Sequence, residues 1–584
     1  MDILFVDAFK QSSLTYFPLG INLLSTIIET NSNYASEVIS FPNLLAEKKI
    51  SDNILLEDNF ETIVQYLINK KPKIISFYTI GDSYFISLTV AKNIKKIDKD
   101  IKIIFAGPHV SLCSRETLEA FDFIDLIAIG EGEKNIIRIM DYFHNKEKIE
   151  NIQGICYRKS NQLVCNEAQP LIENLDELPM LELSKESYPT VIPIEAGRGC
   201  PFNCTFCCTK TFWKRNVRFK SIARLIEEIR YYMIKYNVNQ FDFIHDLFTA
   251  NKKYILEFCQ KIYDLKIDIE WSCSARADSL DGEIIGLMAQ AGCKKVLLGI
   301  ETGSQRMQKM INKNLNMSEV KTTSKLLKLY NIEMQVSFIY GFPTEDEADL
   351  LQTLNLIRFF VEKMLLQEVT INKCICFPGT QIYFTQKNNL IFNEENLSLF
   401  NYCAKKHVDF IKKYPNLFSG SFLIDNQLID KYFYLDIFIN YIYNFFAFRT
   451  PKTLNGILQY YNDNLLDFYL EYEIEVKRFT SLLTRTIYYE DKLSSVREEM
   501  FDSLGFFIEQ KLADEFLAQL FQFEQEIMKI SLNINDIKTK ALIFDYDMLL
   551  YYQESKKQKD KCRLILTVTE NQEIKIEKDL DNSL

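Results

Sequence analysis

The sequence predicts an α/β protein in three parts: an N-terminal doubly wound, Rossmann-like sheet, a partial β/α barrel of six units, and a mainly α-helical C-terminal domain. Three observations carry this. In residues 1–147 short apolar runs alternate with helically spaced segments, the pattern of a parallel sheet covered on both faces. Residues 191–390 repeat strand and helix six times. Residues 391–584 are rich in Phe and Tyr at mostly helical spacing. A length of 584 residues suits two to four domains.

In the first part, ILFVD, SEVISF, KIISFYT, KIIFAG and DLIAIG read as strands, with helices between them and a final helix in KNIIRIMDYF. In such sheets a ligand sits beyond the carboxyl ends of the strands, at a topological switch point. The loops there are Asp7–Gly20, Tyr78–Ser83, Gly107–Ser111 and Gly130–Glu133. Gly107 and Gly130 follow strands directly and either admit a bulky ligand to the backbone or make tight turns. His109 stands at a strand end, as a contact for a ligand edge or as a satisfied loop residue.

Residues 148–190 read as a connector: a hairpin around Ser160–Asn161, then a strap with LDELP. The barrel strands are VIPIEA (191–196), 241–246, 269–275, 296–301, 333–341 and 368–377. Barrel active sites lie at the carboxyl ends of strands, where Asp246, Arg276, Glu301 and Gly341 stand. Their plainer uses are a helix cap for Asp246 and ion pairs for Arg276 and Glu301.

Immediately after the first barrel strand comes GRGCPFNCTFCC, with Cys200, Cys204 and Cys207 spaced C-x-x-x-C-x-x-C. With 14 Cys in 584 residues, chance gives this spacing in about 1% of such chains. Three thiolates suit an iron–sulfur cluster and leave one iron open to a substrate. Zinc is the rival and needs a fourth ligand, for which Cys208 is the candidate. Cys156, Cys165, Cys259, Cys273, Cys374 and Cys376 lie in apolar or strand-like runs and read as buried free thiols.

The net charge of −11 argues against a nucleic-acid partner. No apolar run is long enough to span a bilayer and no secretory signal is evident, so a cytoplasmic location is expected. The aromatic stripe of the last third is either core or the lining of an apolar substrate cavity. RLILTVTENQEIKIE reads as a terminal hairpin.

PLGINLL, SFYTIGDSYF, FAGPHVS and GEGEKNI resemble the cobalamin-binding domain fused to many radical S-adenosylmethionine (SAM) proteins. The Cys motif with Phe206 beside Cys207, FIHDLFTANKKY, WSCSARAD, KKVLLGIETGSQRM and FIYGFPTED resemble the partial (β/α)6 TIM-type barrel of the radical SAM family. The resemblance implies a 4Fe–4S cluster on Cys200, Cys204 and Cys207, with SAM on its open iron. Arg276 and Glu301 would contact the methionyl carboxylate and the ribose or amino group, Phe206 and Gly341 would lie near the adenine, and Asp246 would join them. Gly107, His109, Gly130 and Glu131 would border cobalamin. The chain departs from the wider cobalamin-binding family in lacking Asp-x-His-x-x-Gly, so either cobalt is held without a His below it or cobalamin binding is lost altogether. The implied activity is C-methylation of a small-molecule or peptide substrate after reductive cleavage of SAM to a 5′-deoxyadenosyl radical, with a flavodoxin or ferredoxin as electron donor. Two alternatives remain: a radical cyclase or rearrangement enzyme that binds cobalamin without methyl transfer, and a cobalamin- or redox-responsive binding protein without turnover.

Overall fold

The computed structural model describes residues 1–8, 17–50, 60–160, 162–183, 190–363, 365, 368–394, 407–476, 503–532, 539–546, 548, 557–558, 562–568 and 574–578. The first sheet is built from β1 (Ile3–Asp7), β2 (Ser36–Ser40), β3 (Ile74–Tyr78), β4 (Lys102–Ala106), β5 (Leu126–Ala128), β6 (Ile155–Lys159) and β7 (Gln162–Cys165). Their order is β2-β1-β3-β4-β5-β6-β7. The first five are parallel, and the progression reverses between β1 and β3, which makes that crevice the switch point. All five residues of β1 are buried, as a strand with both faces covered requires.

The connector differs from the expected strap. Its hairpin, β6 and β7, adds two antiparallel strands to the edge of the sheet. The exposed backbone of β5 needs a partner, and β6 supplies it with buried Ile155, Cys156 and Tyr157. Asn161 at the turn lies outside the described residues. Cys156 and Cys165 are not free thiols: they face each other in register across the hairpin and form a disulfide. Cys259, Cys273, Cys374 and Cys376 are free and buried, as expected.

The second sheet contains β8 (Ile192–Glu195), followed by a short ribbon of β9 (Gly197–Arg198) and β10 (Arg218–Phe219) that the sequence did not suggest. It continues with β11 (Gln240–Ile244), β12 (Glu270–Ala275), β13 (Cys293–Glu301), β14 (Glu333–Tyr340) and β15 (Glu368–Lys373). Six strands run in the order β15-β14-β13-β12-β11-β8. Burial alternates along β12 and β14. The helices between strands start where the sequence supplies caps: Ser221, Asn251 and Asp281 each accept a backbone N–H of the following first turn.

The chain divides into two compact units. One comprises Met1–Glu301, Gln305–Thr344 and Lys373–Asn426; the other comprises Thr302–Ser304, Glu345–Asn372 and Gln427–Leu584. Residues beyond 390 therefore do not all group together. Ile411, Leu417, Phe418 and Phe422 join the core formed by Leu4, Phe77, Phe85 and Phe105. The first unit also pairs β16 (Leu390–Phe392) with β17 (Phe422–Ile424).

The second unit packs helices Pro451–Tyr460, Leu465–Val476 and Glu515–Leu532. Many of its aromatic rings form core: Phe438 lies 5.6 Å from Phe468 and 5.3 Å from Tyr469, and Phe468 lies 5.7 Å from Phe507. The terminal hairpin is β19 (Cys562–Val568) with β20 (Ile574–Lys578), and it gains a third strand, β18 (Thr539–Phe544). No helix among the described residues is long and apolar enough to cross a membrane.

Candidate active site at the barrel mouth

The cysteine loop leaves β8 through the β9–β10 ribbon and is fastened at both ends. Asp246, two residues past β11, accepts the Gly199 N–H at 2.7 Å and the Thr209 hydroxyl at 3.3 Å. It thus holds the loop rather than capping a helix, and Asn251 caps the next one. Further along, Thr205 N–H donates to the Ile311 carbonyl at 2.9 Å, Asn312 Nδ2 donates to the Asn203 carbonyl at 2.9 Å, and Ile382 N–H donates to the Thr205 carbonyl at 3.0 Å.

Cys200, Cys204 and Cys207 are all partly exposed, unlike the core thiols. Burial raises the Cys200 and Cys204 pKa values, and Cys207 raises both further by charge repulsion, so Cys207 lies close enough to act on both. Lys313 and Arg276 oppose this at Cys204, and Arg276 does so at Cys200. Three soft donors on one short loop, near the cations Arg276 and Lys313, fit an anionic cluster carried on separate irons. A single zinc would need a fourth ligand on the same ion, for which Cys208, also partly exposed, is the adjacent thiol. Burial pushes the Cys208 thiol up to about 11.

Two of the barrel-end residues approach this loop. Arg276 Nε and Nη2 donate to Asp278 at 2.9 and 2.8 Å, Nη2 donates to the Lys313 carbonyl at 2.8 Å, and the guanidinium stacks 3.7 Å above the Phe202 ring. Buried Glu301 pairs with Lys313 Nζ at 2.7 Å. It takes a left-handed φ of 69° where the register between β13 and β14 slips. Phe206 lies 5.9 Å from Phe342, next to Gly341 with its φ of 79°. Lys313 was missed by sequence reasoning, because INKN reads as an ordinary polar turn. The usable signal was the pair of Asn residues, 312 and 314, which both take left-handed φ values and flank the lysine.

The radical SAM superfamily model matches residues 194–357, and the B12 binding domain model matches residues 11–139. The chain belongs to the cobalamin-binding radical SAM enzymes. It is 26% identical over 424 residues to the uncharacterized methyltransferase PH0819 of Pyrococcus horikoshii, covering 71% of this chain and 90% of that protein. It is 27% identical over 323 residues to the anaerobic magnesium-protoporphyrin IX monomethyl ester cyclase of Rubrivivax gelatinosus, covering 52% of this chain and 57% of the cyclase. Two solved structures share the fold. The radical SAM methyltransferase TsrM of Kitasatospora setae, with cobalamin and a 4Fe–4S cluster bound, has a TM-score of 0.55 at 14% identity, over 66% of this chain and 78% of TsrM. The cobalamin-dependent radical enzyme OxsB, with aqua-cobalamin and SAM bound, has a TM-score of 0.59 at 15% identity, over 92% of this chain and 81% of OxsB.

At the strand ends of the B12-binding domain the expected residues separate. A Cβ on Gly107 would lie 2.6 Å from the Thr79 carbonyl oxygen, and φ is 104°; the chain itself demands this glycine. Gly130, at φ 77°, has open space where a Cβ would be. Ser111 Oγ ties these loops together, donating to the Gly107 carbonyl at 2.8 Å and accepting the Gly130 N–H at 3.1 Å. His109 is buried, its ring 4.3 Å from Tyr84. Burial lowers its pKa to about 4, opposed by a hydrogen bond to the Leu417 backbone, so it is neutral, and Nε2 has no hydrogen-bond partner among the described residues.

Glu131 has a bracing role that the sequence did not suggest. Its carboxylate is committed to Arg198 at 2.6 Å, to Arg218 at 2.9 and 3.0 Å, and to the Ile172 N–H at 2.6 Å. Arg198 also binds Glu133 at 2.6 Å and Glu195 at 2.7 Å. Three carboxylates around two arginines make a buried knot that joins the GEGE loop to the β9–β10 ribbon. Of the Asp7–Gly20 loop, residues 9–16 lie outside the described residues.

Proposed function

We propose that this chain is a cobalamin-dependent radical SAM C-methyltransferase of a small-molecule or peptide substrate. The observation that carries the reading is the partly exposed three-cysteine loop, set at a barrel mouth with Arg276, Glu301 and Lys313, in a chain that also holds a B12-binding domain. When bound, the cluster supplies an electron, SAM supplies a 5′-deoxyadenosyl radical and a methyl group, and cobalamin supplies a methyl carrier. Cys200, Cys204 and Cys207 hold three irons. Asp246 and the 311–313 segment keep their loop in place. Arg276 and Glu301 orient the carboxylate and the amino or ribose groups of SAM, while Phe206 and the Gly341–Phe342 turn shield the adenine from water. Gly130, with space beside it, would border cobalamin, and the chain has no Asp-x-His-x-x-Gly motif to supply a His ligand to it.

Residues 427–584 select the substrate in this account, a flavodoxin or ferredoxin delivers the electron, and the cytoplasm is the site of action. The named cyclase relative favours a second reading, ring formation without methyl transfer. Anaerobic reconstitution with cobalamin, SAM and dithionite tests both. Formation of 5′-deoxyadenosine together with S-adenosylhomocysteine supports methyl transfer, 5′-deoxyadenosine alone supports the cyclase reading, and neither product contradicts both. Electron paramagnetic resonance of the cob(II) form tests the cobalt face: nitrogen splitting that vanishes in His109→Ala would make His109 the ligand.

A further inference from the structure

Lys313 is a buried cation of this site whose ammonium has no chemical task in the reading above. Its side chain is 8% exposed and its Nζ sits 2.7 Å from Glu301 and 5.9 Å from the centre of the Phe206 ring. Its position is built from three directions. The left-handed Asn312 and Asn314 set the turn, Asn312 fastens it to Asn203 in the cysteine loop, and the Lys313 carbonyl accepts Arg276. Gly299 lies under the pair: a Cβ there would fall 2.6 Å from Glu301 Oε1 and 3.0 Å from Lys313 Nζ, so a larger residue would displace the end of one of these side chains. Glu301 in turn adopts its left-handed backbone at the same bulge. Several local features thus converge on one ammonium held beside the cysteine loop, 5.9 Å from the ring of Phe206, which stands between Cys204 and Cys207. An arrangement serving only to neutralise Glu301 would not need to be fastened to the cysteine loop.

We propose that Lys313 is a positioning residue for electron entry: its ammonium, fixed by Glu301, raises the reduction potential of the cluster held by Cys200, Cys204 and Cys207. This rests on the radical SAM reading of the loop. The step concerned is the addition of one electron, supplied by dithionite or a low-potential protein donor, to the oxidised cluster. That electron adds negative charge beside Cys204, and a nearby buried cation stabilises the reduced form more than the oxidised one. Glu301 acts with the opposite sign, so the net field depends on both members of the pair.

The experiment is a potentiometric titration of the anaerobically reconstituted full chain, without SAM, followed by the electron paramagnetic resonance signal of the reduced cluster. Lys313→Met is expected to lower the fraction reduced at a fixed potential about tenfold or more, a midpoint displaced by about 59 mV or more to the negative side for one electron. Lys313→Arg is expected to stay near the parent. Glu301→Gln is expected to move the midpoint the other way, which mere loosening of the site would not do. Iron and sulfide content per chain shows whether each variant is loaded. A loaded Lys313→Met protein with an unchanged midpoint, or Lys313→Met and Glu301→Gln shifting in the same direction, overturns the proposal. If Lys313→Met does not load, the opposed shift in Glu301→Gln and the unshifted Lys313→Arg decide it. Absence of any cluster in the parent chain overturns the radical SAM reading itself.

Discussion

Glu131→Gln keeps the size of the side chain and removes the charge at the centre of the Arg198–Arg218 knot. The carboxylate accepts four hydrogen bonds, three from guanidinium groups, at 2.6 to 3.0 Å. An amide NH2 in place of either oxygen faces two donors, so two bonds are lost whichever way it turns. Each is worth about 1.5–3 kcal/mol when a charged group takes part. Arg218 then keeps no anionic partner, and its Nε and Nη2 already have no hydrogen-bond partner among the described residues. Breaking a buried pair from one side typically costs about 3–5 kcal/mol, and the bond count agrees with that range. Urea unfolding of the cofactor-free chain, followed by far-ultraviolet circular dichroism, should show this loss in the first unit. The competing idea, that Glu131 touches cobalamin, predicts stability within about 1 kcal/mol of the parent and a tenfold or greater loss of cobalamin affinity. That result would refute the brace.

Asp246→Ala should release the Gly199 N–H and the Thr209 hydroxyl and lower the iron retained per chain after gel filtration, whereas Asp246→Asn, which keeps an acceptor, should lose less. Glu524 is buried, and burial raises its pKa to about 7 despite hydrogen bonds from the Lys452 and Thr453 N–H groups. Because the folded value lies above the ordinary 4.5, this group's contribution is fully present below about pH 4.5 and is lost as pH rises through 7. The second unit should therefore lose about 3 kcal/mol of stability across that window, and Glu524→Gln should flatten this part of the pH profile.

The parts of the fold that local pattern governs were legible in the sequence. Continuous apolar runs such as ILFVD marked the buried parallel strands, and the sixfold recurrence of strand and helix marked the barrel. The cysteine spacing exposed the metal loop because its chemistry depends on residue type and interval. What stayed hidden depends on non-local partners. The Cys156–Cys165 disulfide required the hairpin register. The addition of β6 and β7 to the first sheet required knowing that β5 was otherwise an edge. Glu131 belongs to a well-marked GEGE motif, yet its arginine partners lie 67 and 87 residues further along the chain. Lys313 looked like one more polar residue in a turn; only the fold brings it to Glu301, 12 residues before it. Gly107 illustrates a limit of motif reading, since the glycine after a strand is explained by the neighbouring Thr79 backbone.

The most direct test of the central claim is iron, sulfide and electron paramagnetic resonance analysis of the anaerobically reconstituted chain, before and after SAM is added. The account predicts close to four irons and four sulfides per chain, a reduced-cluster signal that changes shape when SAM binds the open iron, and loss of both in the Cys200, Cys204 and Cys207 triple Ala variant but not in Cys208→Ala. One equivalent of zinc with no iron absorption, or a cluster that survives the triple substitution, would contradict it.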